Sequence, residues 1–307
     1  MSLLSLIAVF LIEQLRPLSY RKVVADPLGR LADWVELRCN AGQYRDGVFA
    51  WLIVIVPAVL GTGILYAVSW SINPLAALAC NVGVLYLTMG FRQFSHHYTE
   101  IQLALRLGDL DRARQLLAEW QGRSAESLGS GDVARLAIEE ALAAAHRHVF
   151  AVLLWYVLLP GPCGAVLYRV SAVLAERWRQ VPEGRDDDFF KFSGQVFGII
   201  DWLPLRCTAA AFAVVGDFED AVYCWRNQAG EWQDRELGIV LASGAGALGV
   251  QLGRPVVEGG ELNDRSELGV GDPADVDFMQ SAVGLVWRAI VLWVLLLFLL
   301  GLATLVG

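Results

Sequence analysis

The sequence predicts an all-α, polytopic integral membrane protein with partial or re-entrant segments and a cytoplasmic helical region. Three observations carry this. Of 307 residues, 56% are hydrophobic and only 18% are charged, against about a quarter charged in soluble domains; the mean hydropathy is +0.48. The apolar residues are gathered in blocks, with charged stretches between them. Several blocks run without charge for about the 20 residues that a hydrocarbon core about 30 Å thick requires. The net charge of −8 argues against a nucleic-acid partner. Cys39, Cys80, Cys163, Cys207 and Cys224 share no CxxC spacing. They read as buried thiols, not as a disulfide framework or a zinc site.

Taken in order, residues 2–12 are apolar but too short to span. They lack a basic leader and a cleavage site, so they read as a short anchor helix. Residues 48–72 hold no charge, and Pro57 and Gly61 inside them are tolerated in lipid. Asn73-Pro74 marks a turn, and residues 74–91 form a second uncharged run, which completes a helical hairpin. Residues 149–159 are an apolar run of eleven, ended by Pro160-Gly161-Pro162-Cys163-Gly164. At 1.5 Å per residue it covers about half a bilayer. With residues 165–175 it forms either one broken span or a hairpin that enters and returns. Residues 196–215 carry Asp201, Pro204 and Arg206, and residues 237–252 are rich in the small residues that allow close helix contact. Residues 281–306 form a third strong run, with Arg288 able to snorkel. The expected organisation is one domain over 1–307. It comprises an anchor and hairpin (1–91), cytoplasmic helices (92–148), broken or re-entrant segments (149–252), a flexible acidic loop (253–280) and a C-terminal membrane helix (281–307).

Loop charge orients the chain. Residues 13–47 hold six Arg or Lys, residues 92–148 seven, and residues 176–195 four. The positive-inside rule puts all three in the cytoplasm. This favours the returning hairpin and predicts a multi-pass protein of the bacterial inner membrane. Residues 253–280 hold two Arg against seven acids and carry no such signal.

The polar motifs have competing readings. Gly108-Asp109 and Gly216-Asp217 each follow an apolar helix and lead to another, so the aspartates read as N-caps before paired catalytic carboxylates. His96-His97 and His146/His148 are near helix ends and offer imidazoles to zinc, iron or a haem. Adjacent helical positions diverge by about 100°, which limits each pair to one ligand. Glu139, seven residues before His146, shares its face. Arg185-Asp186-Asp187-Asp188 suits either a solvated loop or a Mg²⁺-phosphate site. Gly244, Gly246 and Gly249 mimic a phosphate loop but lack the lysine, and close helix packing explains them better. Asp201 and Arg206, around Pro204 in an apolar block, either pair across a kink or line a polar pocket.

The order of elements resembles the CobD/CbiB family of membrane proteins in cobalamin biosynthesis, and its relative AmpE, a proposed modulator of β-lactamase induction. The matching stretches are residues 92–120, Gly122-Arg123, residues 133–155, Tyr168-Arg169, residues 201–209 (DWLPLRCTA) and residues 245–253 (AGALGVQLG). The resemblance implies an amide ligation joining aminopropanol to a propionate of cobyric acid, with Mg²⁺ and ATP as cofactors. It also implies ligand-binding roles for His97, Arg123, Glu139, Arg169, Asp201 and Arg206. The sequence departs from the enzyme pattern at four places. Ala143, Ala144 and Arg147 stand where the enzymes have Glu, Asn and Asp. Residues 172–175 replace an Asn-Thr-Leu-Asp motif. Phe197 and Gly198 replace an Asp-Asp pair, with Asp201 in place of an Asn. Residues 234–238 replace a Ser-Pro-Asn-x-Gly segment. Alanine neither coordinates Mg²⁺ nor accepts a proton. The expectation is therefore a non-ligase sensor or modulator, AmpE-like, that binds a small-molecule ligand or a membrane protein partner through a cavity around Asp201 and Arg206. The alternatives are an adenosylcobinamide-phosphate synthase-type ligase and a metal or haem protein built on His96, His97, His146 and His148.

Overall fold

The computed structural model describes residues 2–15, 21–179, 188–258, 261–263 and 265–306. The chain is helical nearly throughout. The helices are α1 (Ser2–Leu15), α2 (Asp26–Cys39), α3 (Tyr44–Ile72), α4 (Pro74–Thr88), α5 (Phe91–Arg106), α6 (Leu110–Gln121), α7 (Ser130–Ala145), α8 (Ala151–Leu158), α9 (Cys163–Arg179), α10 (Phe189–Val215), α11 (Phe218–Asn227), α12 (Arg235–Leu248) and α13 (Val276–Val306). Among the described residues four stretches are long and apolar enough to cross a membrane: Tyr44–Ile72, Ser130–Leu158, Phe189–Val215 and Val276–Ala303. This is a helical membrane protein. Its most apolar helices present Leu60, Ile64 and Leu300 outwards, as a lipid environment requires.

The chain divides into two compact units, Met1–Gln93 with Ala151–Leu203, and Phe94–Phe150 with Pro204–Gly307. In the first unit α2, α3 and α9 enclose a core of Ala32, Val35, Ala50, Val54, Val170, Leu174 and Trp178, joined by Phe189. Gly47 permits this packing, because a Cβ there would lie 2.2 Å from the Phe189 carbonyl oxygen. The anchor helix α1 packs on α4. Arg177 holds Asp33 through two hydrogen bonds of 2.7 Å, and this hydrogen bonding lowers the Asp33 pKa. A depressed carboxylate pKa stabilises the fold above the unfolded value, and the contribution fades as pH falls through the folded one. Both partners are well exposed. Asp33→Asn is therefore expected to cost under about 1 kcal/mol at neutral pH, with the difference from wild type vanishing in acid melts.

In the second unit α11 packs along α12. Gly246 lets them touch, since its Cβ would lie 2.4 Å from the Asp220 carbonyl oxygen. Gly249 ends α12 at φ +66°. The glycine run is thus a packing seam, as the sequence reads it. Both Gly-Asp turns are capped: Asp109 accepts from the Arg112 amide at 3.0 Å and Asp217 from the Asp220 amide at 3.1 Å. Cys224, wholly buried on α11, has its pKa pushed up to about 11 by burial, with the Asp220 charge adding. At pH 7–8 it holds almost no thiolate. Maleimide is expected to label Cys224 only after denaturation, and native-rate labelling would show that the α11–α12 seam opens.

Two sequence expectations need correction. The apolar run beginning at residue 149 is not a segment of its own. A π-helical turn at His146–Phe150 continues α7 into α8, making one 29-residue helix. The His-Arg-His triplet interrupts the hydropathy but not the backbone, because His146 is buried. The acidic stretch 253–280 is also not structureless. Val250–Gln251 pairs in parallel with Asp272–Pro273, and Val256–Glu258 pairs antiparallel with Glu261–Asn263. Leu252 and Leu268 exchange backbone hydrogen bonds of 2.7 and 2.9 Å and are fully buried. The apolar residues that anchor this segment are too sparse to register as a period.

Candidate functional site: a buried carboxylate and its arginines

The second unit gathers charge at the start of α7. Glu139 is buried in that helix. Its Oε1 accepts from the Gly253 amide at 2.9 Å, and its Oε2 accepts from Arg265 Nη1 at 3.0 Å. A buried charge needs such partners to be tolerated. Gly253 is required in this arrangement: it sits at φ +79°, and a Cβ there would lie 2.3 Å from the Ser266 carbonyl oxygen. The Arg265 guanidinium lies over the Trp232 ring, 6.0 Å from its centroid. One turn before Glu139, Arg135 is 4% exposed and donates through Nη2 to Asp132 at 2.9 Å. Arg135 is within Coulombic reach of Glu139, Asp132, Arg254 and Arg265. Arg135, Asp132 and Gly131 line a pocket of about 170 Å³ with Gln251, Arg254, Pro273 and Ala274. Arg254 donates to Gln251 and lies 3.5 Å from Glu267.

The other sequence-predicted residues lie elsewhere. In the first unit, Arg169 donates to the Thr88 carbonyl at 2.8 Å, which satisfies a carbonyl at the end of α4 that has no partner within the helix. Asp201 accepts from the Tyr168 hydroxyl at 3.0 Å. Arg206 lies five residues beyond Asp201 on the same helix, α10. Arg123 is exposed in the turn after α6. His97 stacks on Trp120 at 6.1 Å, and His96 faces Glu100 at 3.5 Å.

His146 has a structural partner that follows from Pro204. A proline inside a helix leaves the carbonyl four residues earlier without its N–H, and Trp155 Nε1 donates to that Ile200 carbonyl at 3.1 Å. Thr208 gives its only hydroxyl proton to the Pro204 carbonyl at 2.9 Å. The 2.9 Å contact between His146 Nδ1 and Thr208 Oγ1 is therefore donated by the imidazole, a tautomer assigned from the network.

Among the described residues no three His, Cys, Asp or Glu side chains gather as metal ligands. His96, His97, His146 and His148 thus do not form the shell that a shared metal would need. Residues 185–187 of the Arg-Asp-Asp-Asp run lie outside the described residues. The sequence reading missed Arg254 and Arg265 as site residues, although they are the two basic residues set among seven acids in 253–280.

The model of the CobD/Cbib protein family matches residues 19–286. The chain belongs to the CobD/CbiB family. It is 34% identical over 302 residues to the cobalamin biosynthesis protein CobD of Stutzerimonas stutzeri, covering 96% of each chain. It is 36% identical over 220 residues to the protein of that name from Chromobacterium violaceum, covering 72% of this chain and 70% of the relative. The relative of the same name from Mycobacterium tuberculosis is 29% identical over 259 residues, 78% of each. No solved structure matches the chain. The CobD/CbiB family model spans both arms of the Glu139 clamp, α7 and the stretch that carries Gly253 and Arg265.

Proposed function

We propose that this chain acts in cobalamin biosynthesis as a multi-pass, ligand-binding sensor or modulator of the bacterial inner membrane, and not as an amide ligase. One observation supports this above others: polar residues shared with the family's enzymes are engaged in holding the chain's own fold. Both carboxylate oxygens of Glu139 are taken by Gly253 and Arg265, and Arg169 ties down the end of α4. On the same helix as Glu139, buried Ala143 and Ala144 stand where the enzymes carry polar side chains. A carboxylate locked by an ion pair and an amide is poorly placed to hold Mg²⁺, which favours few carboxylates together with water and phosphate oxygens.

The ligase reading draws its support from the near-complete coverage of a relative named for cobalamin biosynthesis. One assay separates the two. Purified protein in detergent is given adenosylcobyric acid, Mg²⁺-ATP and aminopropanol phosphate, beside a family enzyme that forms product, with detection by mass spectrometry. No product beside the active control is the expected result. Turnover comparable to the control would overturn the proposal.

A further inference from the structure

We infer that α2 lies in the headgroup layer of the membrane and binds anionic lipid through its outward face. The helix has two faces. One carries Ala32 and Val35, both buried, with Leu28 and Cys39 packed against the same core. These positions recur every three or four residues, as a core-facing stripe does. The opposite face would be polar if water covered it. Instead Pro27, Arg30, Leu31, Trp34, Leu37 and Arg38 are exposed at the same helical spacing. Three of them are large and apolar: Leu31 is 41% exposed, Trp34 52% and Leu37 86%. A contiguous apolar stripe on an outward face marks a contact with something outside the chain.

The surroundings name the occupant. Only residues 40–43 separate α2 from α3, a helix long and apolar enough to span. Packing on α3 and α9 holds α2 beside that span. The first turns of α3 continue the apolar surface with Phe49 and Ile53, which are exposed and face lipid once α3 crosses. With five charged residues among its 14, α2 is too polar for the hydrocarbon core and belongs at its boundary. Its outward residues suit that depth. An indole is amphipathic, and an arginine lays its stem on apolar surface while its charge stays among headgroups. The Arg38 guanidinium lies over the Trp34 ring, 4.6 Å from its centroid. Charge then selects the lipid. Arg30 and Arg38 share the outward face with one acid, Asp26, at the helix start. The other two acids are drawn to Arg177: Asp33 by two hydrogen bonds, Glu36 by Coulombic attraction. Arg21-Lys22 precede the helix. An amphipathic helix with this positive excess suits anionic headgroups. The inference goes beyond the function proposed above and does not depend on it, because lipid contact is read without any substrate.

The test is fluorescence of the full chain in lipid nanodiscs. The chain has 11 tryptophans, so the Trp34 signal is taken as the difference between wild type and Trp34→Phe. Trp34 is expected to be quenched more by phospholipids brominated near the glycerol end of the acyl chain than by those brominated at the chain terminus, and weakly by aqueous acrylamide. In an equimolar mixture of phosphatidylglycerol and phosphatidylcholine, bromine carried on phosphatidylglycerol should quench Trp34 at least about twofold more than bromine carried on phosphatidylcholine. Salt at about 0.5 M should shrink that ratio by screening the exposed charges. Arg30→Gln combined with Arg38→Gln should bring the ratio to about one without shifting the thermal melt, since both arginines are exposed. Because Arg38 touches Trp34, this variant is compared with its own Trp34→Phe form. Strong quenching by acrylamide with no response to brominated lipid would put the face in water. Protection from both would put it under protein, a second copy or another partner. An equal response to the two bromolipids in the wild type would remove the charge selection. Each of these results would overturn the inference.

Discussion

Glu139→Ala is expected to destabilise the protein by about 3–5 kcal/mol, the cost of removing one partner from a buried ion pair. The mutation leaves Arg265, 14% exposed, and the buried Arg135 without their shared counter-charge. It also strips the Gly253 amide of its acceptor. The loss should be visible as a lower melting temperature in detergent and as faster hydrogen exchange at Gly253. Glu139→Gln keeps an acceptor oxygen for that amide and should cost less. A double-mutant cycle with Arg265→Met isolates the pair. If the clamp is real, the double mutant is less damaged than the two single losses added together, because removing both charges leaves neither stranded. A Glu139→Ala protein within about 0.5 kcal/mol of wild type, the range of an ordinary surface substitution, would show that the clamp does not hold the 253–266 stretch to α7.

Gly246→Ala should cost about 1–3 kcal/mol, the penalty for overpacking a well-filled interface. Its added methyl would meet the Asp220 carbonyl oxygen at 2.4 Å, the Asp220 carbonyl carbon at 2.6 Å and the Ala221 Cα at 2.8 Å. All three are backbone atoms, so no rotamer change relieves the clash and α11 must move off α12. Gly284→Ala is the internal control. Nothing lies within 4 Å of its Cβ position, and glycine inside a helix is worse than alanine by up to about 1 kcal/mol. That substitution should be neutral or stabilising. Similar melts for the two variants would mean that the α11–α12 seam is looser than its backbone contacts imply.

Some of this was legible from the residues alone, and the legible parts share a range. The spans Tyr44–Ile72 and Val276–Ala303 announce themselves because hydropathy accumulates over neighbouring residues. Asp109 and Asp217 were readable as caps because a cap acts on an amide three residues away. The close approach at Gly246 was readable because small residues at that spacing serve little else in an apolar helix. Even the family was visible, through motifs kept in order. The continuation of α7 into α8 was hidden. His146, Arg147 and His148 read as a polar boundary, and a partner that helps make the buried imidazole acceptable, the Thr208 hydroxyl, is 62 positions away.

The site was less legible than the fold. Glu139 was singled out, but as a ligand-binding residue on a helix face. Its partners are 114 and 126 residues downstream, in a stretch whose composition says only loop. Asp201 was singled out as well, but its partner in the fold, the Tyr168 hydroxyl, is 33 positions away. The sequence by itself determined that this is a helical membrane protein, where its apolar helices lie and which turns are capped, because those forces act within a few residues of chain. Only the tertiary structure decided which charges face one another at Glu139, Arg135, Arg254 and Arg265. A buried charge is made tolerable by whatever the folded chain brings within about 3 Å of it, and that distance carries no trace in a sequence separation of more than a hundred residues.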